Sequence, residues 1–257
     1  MVMADAFKEL RERVTFARSE IAVLQKEVHA FTATALTIRQ IRTFKPNIYN
    51  YSIRLTKPVP TAVKSRAGTI ANELRACLDG LACTLALKNT DNTNGTYFPI
   101  SKTKAIFEDD GMRKIKKLSA TDQQTIIALE PYKEKNPLLF GLHEADRTRK
   151  HISLCGCGGA QSTTFGGLIK LSSPIAARYE NIRIDNVVVK DLAYTGDIAS
   201  EGGNETILIT GAPKELVLRF EGDLAYSDPE ELRGSPMAST LSTFAGKVEE
   251  IIGLFDN

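Results

Sequence analysis

Phe7, Leu10, Val14, Ala17, Ile21, Leu24, Val28 and Phe31 recur in unbroken, alternating steps of three and four residues. Apolar side chains at that spacing line one stripe of an α-helix. The stripe predicts a single helix of about 27 residues, ~40 Å long. Such a helix must cover its seam. A partner helix from the same chain, in a hairpin or bundle, is the favoured solution, and a dimeric coiled coil is the other. Ala17 and the two phenylalanines specify a dimer poorly.

A second helix is expected from about Thr61 to Lys88, and it carries the most pointed polar pattern of the chain. Asn72, Arg75 and Asp79 fall within an arc of roughly 60°. Leu74, Cys77, Leu78, Leu81 and Leu85 fill the neighbouring arc. Charge beside an apolar stripe is costly unless paired, so this face marks either a structural ion pair or a site. The cluster Asp146-Arg147-Thr148-Arg149-Lys150-His151 is the natural candidate to face it. Ala76, Gly80 and Cys83 are small enough to let another helix approach closely. Gly80 would cost about 1 kcal/mol in a helix interior, which calls for a packing reason.

Lys45-Pro46-Asn47 breaks the first helical pattern, and Tyr49, Tyr51, Ile53 and Leu55 alternate as a strand ending at Pro58 and Pro60. Ser119–Asp122 reads as a helix start, with Ile126, Ile127 and Leu129 following and Pro131 as the stop. Pro137 to Leu142 opens a helix that delivers His143 through His151. Gly156 to Gly167 reads as a flexible loop, followed by strand-like runs at 168–171, 182–189, 206–210 and 216–220. A closing helix from about Ser239 has Leu241, Phe244, Val248, Ile251, Ile252 and Phe255 on one face. The expected fold is α+β. A mainly helical bundle occupies 1–155, and an antiparallel sheet with a C-terminal helix occupies 156–257, packed on the bundle as one compact unit.

At 257 residues the chain can bury one large core or two modest ones. A net charge of +2 makes no case for nucleic acid by itself. Basic residues do cluster at 113–117 and at Arg147–Lys150, where a solvated face is the ordinary reading. No apolar run approaches the ~18 residues of a membrane span, and the N-terminus lacks an apolar signal core, so a cytoplasmic protein is expected. Cys77 and Cys83 stand six positions apart on one helix, ~9 Å of rise and beyond disulfide reach. Cys155 and Cys157 with His143 and His151 number four zinc-type ligands, but their spacing matches no common zinc module. Reduced cysteines, no metal and no cofactor are therefore expected.

Leu74-Arg75-Ala76-Cys77-Leu78-Asp79-Gly80-Leu81, Tyr97-Phe98-Pro99-Ile100, Leu129-Glu130-Pro131-Tyr132 and Leu138 through His151 occur in this order. Over residues 60–155 the pattern resembles a large family of uncharacterised bacterial proteins. Its members carry a His where this chain has Gly80, and a compact Asp-Lys-His-Arg near Asp146–His151. An Arg followed, after four intervening residues on a helix, by a His resembles the signature of HEPN domains. These are helical bundles, often dimers, and many are metal-independent endoribonucleases. Arg75 matches the arginine, and Gly80 stands in place of the histidine. The resemblance implies a HEPN-like scaffold, a homodimer, and RNA or a protein as partner.

RNA cleavage without metal needs a base for the 2′-hydroxyl and a cation for the phosphorane charge. His151 and Arg147 are four apart and share a helical face, with Arg75, beside Asp79, as a second phosphate contact. Asp146, Arg149 and Lys150 are the accompanying ligand-binding candidates. The competing reading makes Arg75–Asp79 and Asp146–Arg149 structural ion pairs that lock adjacent helices. His143 is expected on the helix surface, and Glu73 facing solvent. Three functions follow: a non-catalytic interaction or scaffold protein, a metal-independent ribonuclease of toxin or phage-defence type, and a small-ligand or metal-binding sensor built on the Cys155–Cys157 loop. Glycine at position 80 favours the first.

Overall fold

The computed structural model describes residues 2–41, 48–151, 157–166, 169–171, 205–210, 213–216 and 219–256, with side chains placed for 5–35, 56–148 and 224–256. The run 182–189, read as a strand from sequence, lies outside the described residues. In chain order the first elements are α1 (Val2–Ala35), β1 (Leu36–Ile41), β2 (Ile48–Leu55), α2 (Thr61–Ala86) and α3 (Lys104–Ile106). A π-helical turn at Phe107–Gly111 leads into α4 (Met112–Ile115), followed by α5 (Ala120–Ala128) and α6 (Pro137–His151). Then come β3 (Cys157–Gly166), β4 (Ile169–Leu171), β5 (Glu205–Thr210), β6 (Pro213–Leu216), β7 (Arg219–Tyr226) and α7 (Met237–Gly253). The described structure is mostly helical, with one closing helix.

The apolar seam organises the bundle. α1 runs for 34 residues, longer than the seam alone predicts, because neither flank holds a helix breaker. Its seam positions from Phe7 to Val28 are buried, and Phe31 packs half-buried at the edge of the core. The cover comes from α2 and α7 of the same chain. α7 presents Leu241, Phe244, Val248, Ile251 and Ile252 of the predicted face, and Phe255 just past its end joins them, all buried in one apolar cluster with the α1 seam. Each such side chain contributes about 1.5–3 kcal/mol by leaving water.

Ion pairs stitch the helix edges. Arg66 on α2 reaches both Glu20 and Glu27 on α1, and Arg13 Nε donates to Glu73 Oε1 at 2.6 Å. Glu73 therefore does not simply face solvent: its partner sits on another helix, where sequence spacing cannot reveal it. Arg11–Asp256 and Arg18–Glu249, both 2.7 Å, fasten the closing segment to α1. Exposed pairs like these stabilise by about 0–1 kcal/mol each, so they set register more than stability.

The described strands pair antiparallel. β1 and β2 form a hairpin, with Leu36 opposite Leu55, and β5 adds to the far edge of β2, with Ile207 opposite Tyr51. β3 pairs with β7 from Cys157–Tyr226 to Gly166–Arg219, through two irregularities in register, and β4 pairs with β6. Of the flexible loop expected at Gly156–Gly167, the described part, Cys157–Gly166, is in fact a strand. Its glycines hide it locally, and the distant β7 supplies the ladder that fixes it. β1 also had no signal of its own, because it continues α1 without a turn. Among the described residues no helix is long and apolar enough to cross a membrane.

Candidate functional site

α2 and α6 pack against each other, and a segment without regular hydrogen-bonded structure, 96–100, runs alongside α2. A buried segment of that kind has backbone groups that must find partners. Arg75 and Asp79 supply them. Arg75 Nη1 donates to Asp79 Oδ1 at 2.6 Å, and Nη2 donates to the Phe98 carbonyl at 2.8 Å. The Phe98 amide in turn donates to the same Asp79 oxygen at 2.9 Å. One residue's N–H and C=O are thus both held by an i,i+4 pair on α2. Arg75 is only 6% exposed, and Phe98 is buried beside it.

Asn72, one turn earlier on the same face, donates through Nδ2 to Asp146 Oδ1 of α6 at 2.8 Å. Asp146 is 5% exposed, and this amide–carboxylate contact joins α2 to α6. The neighbouring Glu144 is also buried, and both its oxygens are taken by Arg147, from Nε at 3.0 Å and Nη2 at 2.5 Å. The Arg147 side chain stays half exposed at 51%, so its partner lies on its own helix rather than across the seam.

His143 is the residue that sequence reasoning misplaced. It is not on the surface: its Nδ1 is buried and has no hydrogen-bond partner among the described residues, and its ring lies 6.3 Å from Phe140. Burial lowers its pKa to about 4, the nearby Arg75 guanidinium adds to the effect, and Asp146 opposes it. Lys114 and Arg147 depress it further. The imidazole is therefore neutral across the physiological range. A signal was present in the sequence: Leu139, Leu142, His143 and Asp146 repeat at three- and four-residue steps, the stripe that α6 turns inward.

The structure therefore brings Asn72, Arg75, Asp79, Phe98, His143 and Asp146 into one polar layer. Phe98 contributes through its backbone, a role that no side-chain pattern marks. Arg147 stands at the rim. The side chains of Arg149, Lys150 and His151 lie outside the described residues, as do those of Cys155 and Cys157. Cys77 and Cys83 are free thiols, and burial pushes the Cys77 thiol up to about 11. Among the described residues no three His, Cys, Asp or Glu side chains gather as metal donors.

Gly80 faces elsewhere. A Cβ built on it would meet Leu10 Cδ2 of α1 at 3.1 Å and Arg13 Nη1 at 3.8 Å. The glycine thus has its packing reason, the close approach of α1. Position 80 lies about 140° around α2 from Arg75. Comparisons of the chain with protein families, with curated proteins and with solved structures give no match.

Proposed function

We propose that this chain is a non-catalytic interaction or scaffold protein on a HEPN-like helical bundle. The observation that carries the reading is the use made of Arg75. Both ends of its guanidinium are engaged, by Asp79 and by the Phe98 carbonyl, and little of it meets solvent. An arginine that stabilises a phosphorane must present its fork to an open cleft. The position that would hold the partner histidine carries Gly80 and looks at α1 instead. The one placed imidazole of the layer, His143, is too weakly basic to act as a general base near neutral pH. The layer reads as a lock between α2, α6 and the 96–100 segment.

The test is a nuclease assay with a stability readout. Purified protein is incubated with total RNA in chelator, beside His151→Ala and Arg75→Gln. The expected result is no cleavage by any of the three, with a lowered unfolding midpoint for Arg75→Gln. Cleavage by the parent that disappears in His151→Ala would overturn the proposal. It would support instead a metal-independent ribonuclease using His151, Arg147 and Arg75.

A further inference from the structure

The loop after α2 and the helical stretch ending in α4 enclose a groove of about 390 Å³. That is the size of site that takes a small organic ligand. One wall carries Thr96 and Tyr97, and the other carries Arg113, Lys114, Lys116 and Lys117, against a single lining carboxylate, Asp110. Asp110 is held by Lys114 at 2.6 Å, and Arg113 reaches both Asp110 at 3.4 Å and Asp109, outside the groove lining, at 3.3 Å. Lys116 has no carboxylate partner among the described residues, and Lys117 Nζ donates only to the Asn94 carbonyl, at 2.7 Å. The groove is therefore left with uncompensated positive charge, in a chain whose total charge is near zero.

Two further observations go beyond charge. Thr96 lines the groove though its residue is only 2% exposed, and its buried Oγ1 has no hydrogen-bond partner among the described residues. A buried hydroxyl without a partner is an unmet donor and acceptor. Tyr97, between the buried Thr96 and Phe98, is a residue 52% exposed. The loop that presents both is already formed. The Asn94 amide donates to Asn92 Oδ1 at 2.8 Å and the Thr96 amide to the Thr93 carbonyl at 2.9 Å. Gly95 supplies the turn's φ of +76°. A preformed site loses little entropy on binding.

We propose that this groove binds a nucleotide, free or within a single strand of nucleic acid. Arg113, Lys116 and Lys117 take the phosphate, and the Tyr97 ring stacks on the base. Cations alone would serve an acidic peptide equally well. The displayed Tyr97 ring favours a ligand with a planar heterocycle. The site stands on its own geometry, independent of the reading of the Arg75 layer.

The test measures binding of AMP, of fluorescein-labelled octauridylate, of inorganic phosphate and of a glutamate octapeptide to the full chain at low salt. Lys116→Glu and Tyr97→Ala are each expected to weaken nucleotide binding about tenfold or more, with unchanged circular dichroism. Lys57→Glu, the same charge change outside the groove, leaves it within about threefold. AMP binding as tightly as the octamer assigns the site to a free nucleotide, and tighter octamer binding assigns it to a strand. The proposal is overturned by absence of binding of both at millimolar concentration. It is equally overturned if the glutamate peptide binds as well, or if Lys57→Glu weakens binding as much as Lys116→Glu. The nuclease assay above is scored separately, so each idea fails on its own result.

Discussion

At the scale of single residues, the polar layer behaves as structure whose parts depend on one another. Arg75→Ala removes the donor to the Phe98 carbonyl and leaves Asp79 beside the Phe98 amide without its counter-charge. Breaking a buried pair costs about 3–5 kcal/mol, and Asp79 is 29% exposed, so the expected loss is at the low end, about 3 kcal/mol by urea unfolding. A loss below about 1 kcal/mol would mean the guanidinium is not a lock. His143 gives a pH signature. Its folded pKa is lowered to about 4 from 6.5. Between those values the unfolded chain binds the proton and the folded chain does not, so stability is full above pH 6.5 and falls as pH drops toward 4. Between pH 7 and pH 5 this histidine removes at most about 2 kcal/mol. His143→Leu should flatten that part of the profile, leaving only the slope due to carboxylates. An unchanged slope in the variant would assign the acid sensitivity elsewhere. The i,i+4 pairing of Arg75 with Asp79 was readable from spacing. The Phe98 backbone that both of them serve was not, because a main-chain partner 23 residues away has no side-chain pattern.

At the scale of elements, legibility followed periodicity. α1, α2 and α7 bury long stripes that repeat at helical steps, and each was readable from those stripes. β1 and β3 were not: β1 continues α1 without a turn, and β3, which begins with Cys157-Gly158-Gly159, is paired by the distant β7. The helical stretch 104–115 was also missed. Its Gly111 lies so close to Phe107 that a Cβ would stand 2.9 Å from the ring, a fit only coordinates reveal. The α1–α2 seam makes a sharper prediction at Gly80. Alanine there recovers about 1 kcal/mol of helix propensity, set against a tight contact with Leu10, so Gly80→Ala should stay within about 1 kcal/mol of the parent. Gly80→His adds a whole ring where α1 already sits, and it should destabilise by about 2 kcal/mol. Thermal or urea unfolding of both variants checks this. A histidine variant as stable as the parent would show that α1 yields easily there, and would weaken the case that its approach excludes a side chain.

At the scale of the whole molecule, the chain closes on itself. The division at residue 155, which separates a helical half from a sheet-containing half in sequence, is not a division of the core. Leu224 and Tyr226 of β7, and Met237, Leu241, Phe244, Val248, Ile251 and Ile252 of α7, belong to the same apolar cluster as the α1 seam. The six large α7 side chains alone contribute about 10–20 kcal/mol of burial, an upper figure because an unfolded chain already hides part of its surface. Net stability of a domain is about 5–15 kcal/mol. Removing α7 therefore takes away a term as large as the whole margin, and it exposes the seam of α1 and the adjoining face of α2 to water. A chain ending before Met237 should lose far more helix by circular dichroism than the 17 residues of α7 account for, and it should unfold without a cooperative transition or aggregate. A truncated chain that stays monomeric, melts cooperatively and loses only the signal of α7 would show the bundle to be complete without it. In that case α1 and α2 would have to carry the core by themselves, and the pairs Arg11–Asp256 and Arg18–Glu249 would be ornaments on an independent helix rather than the edge of its required cover.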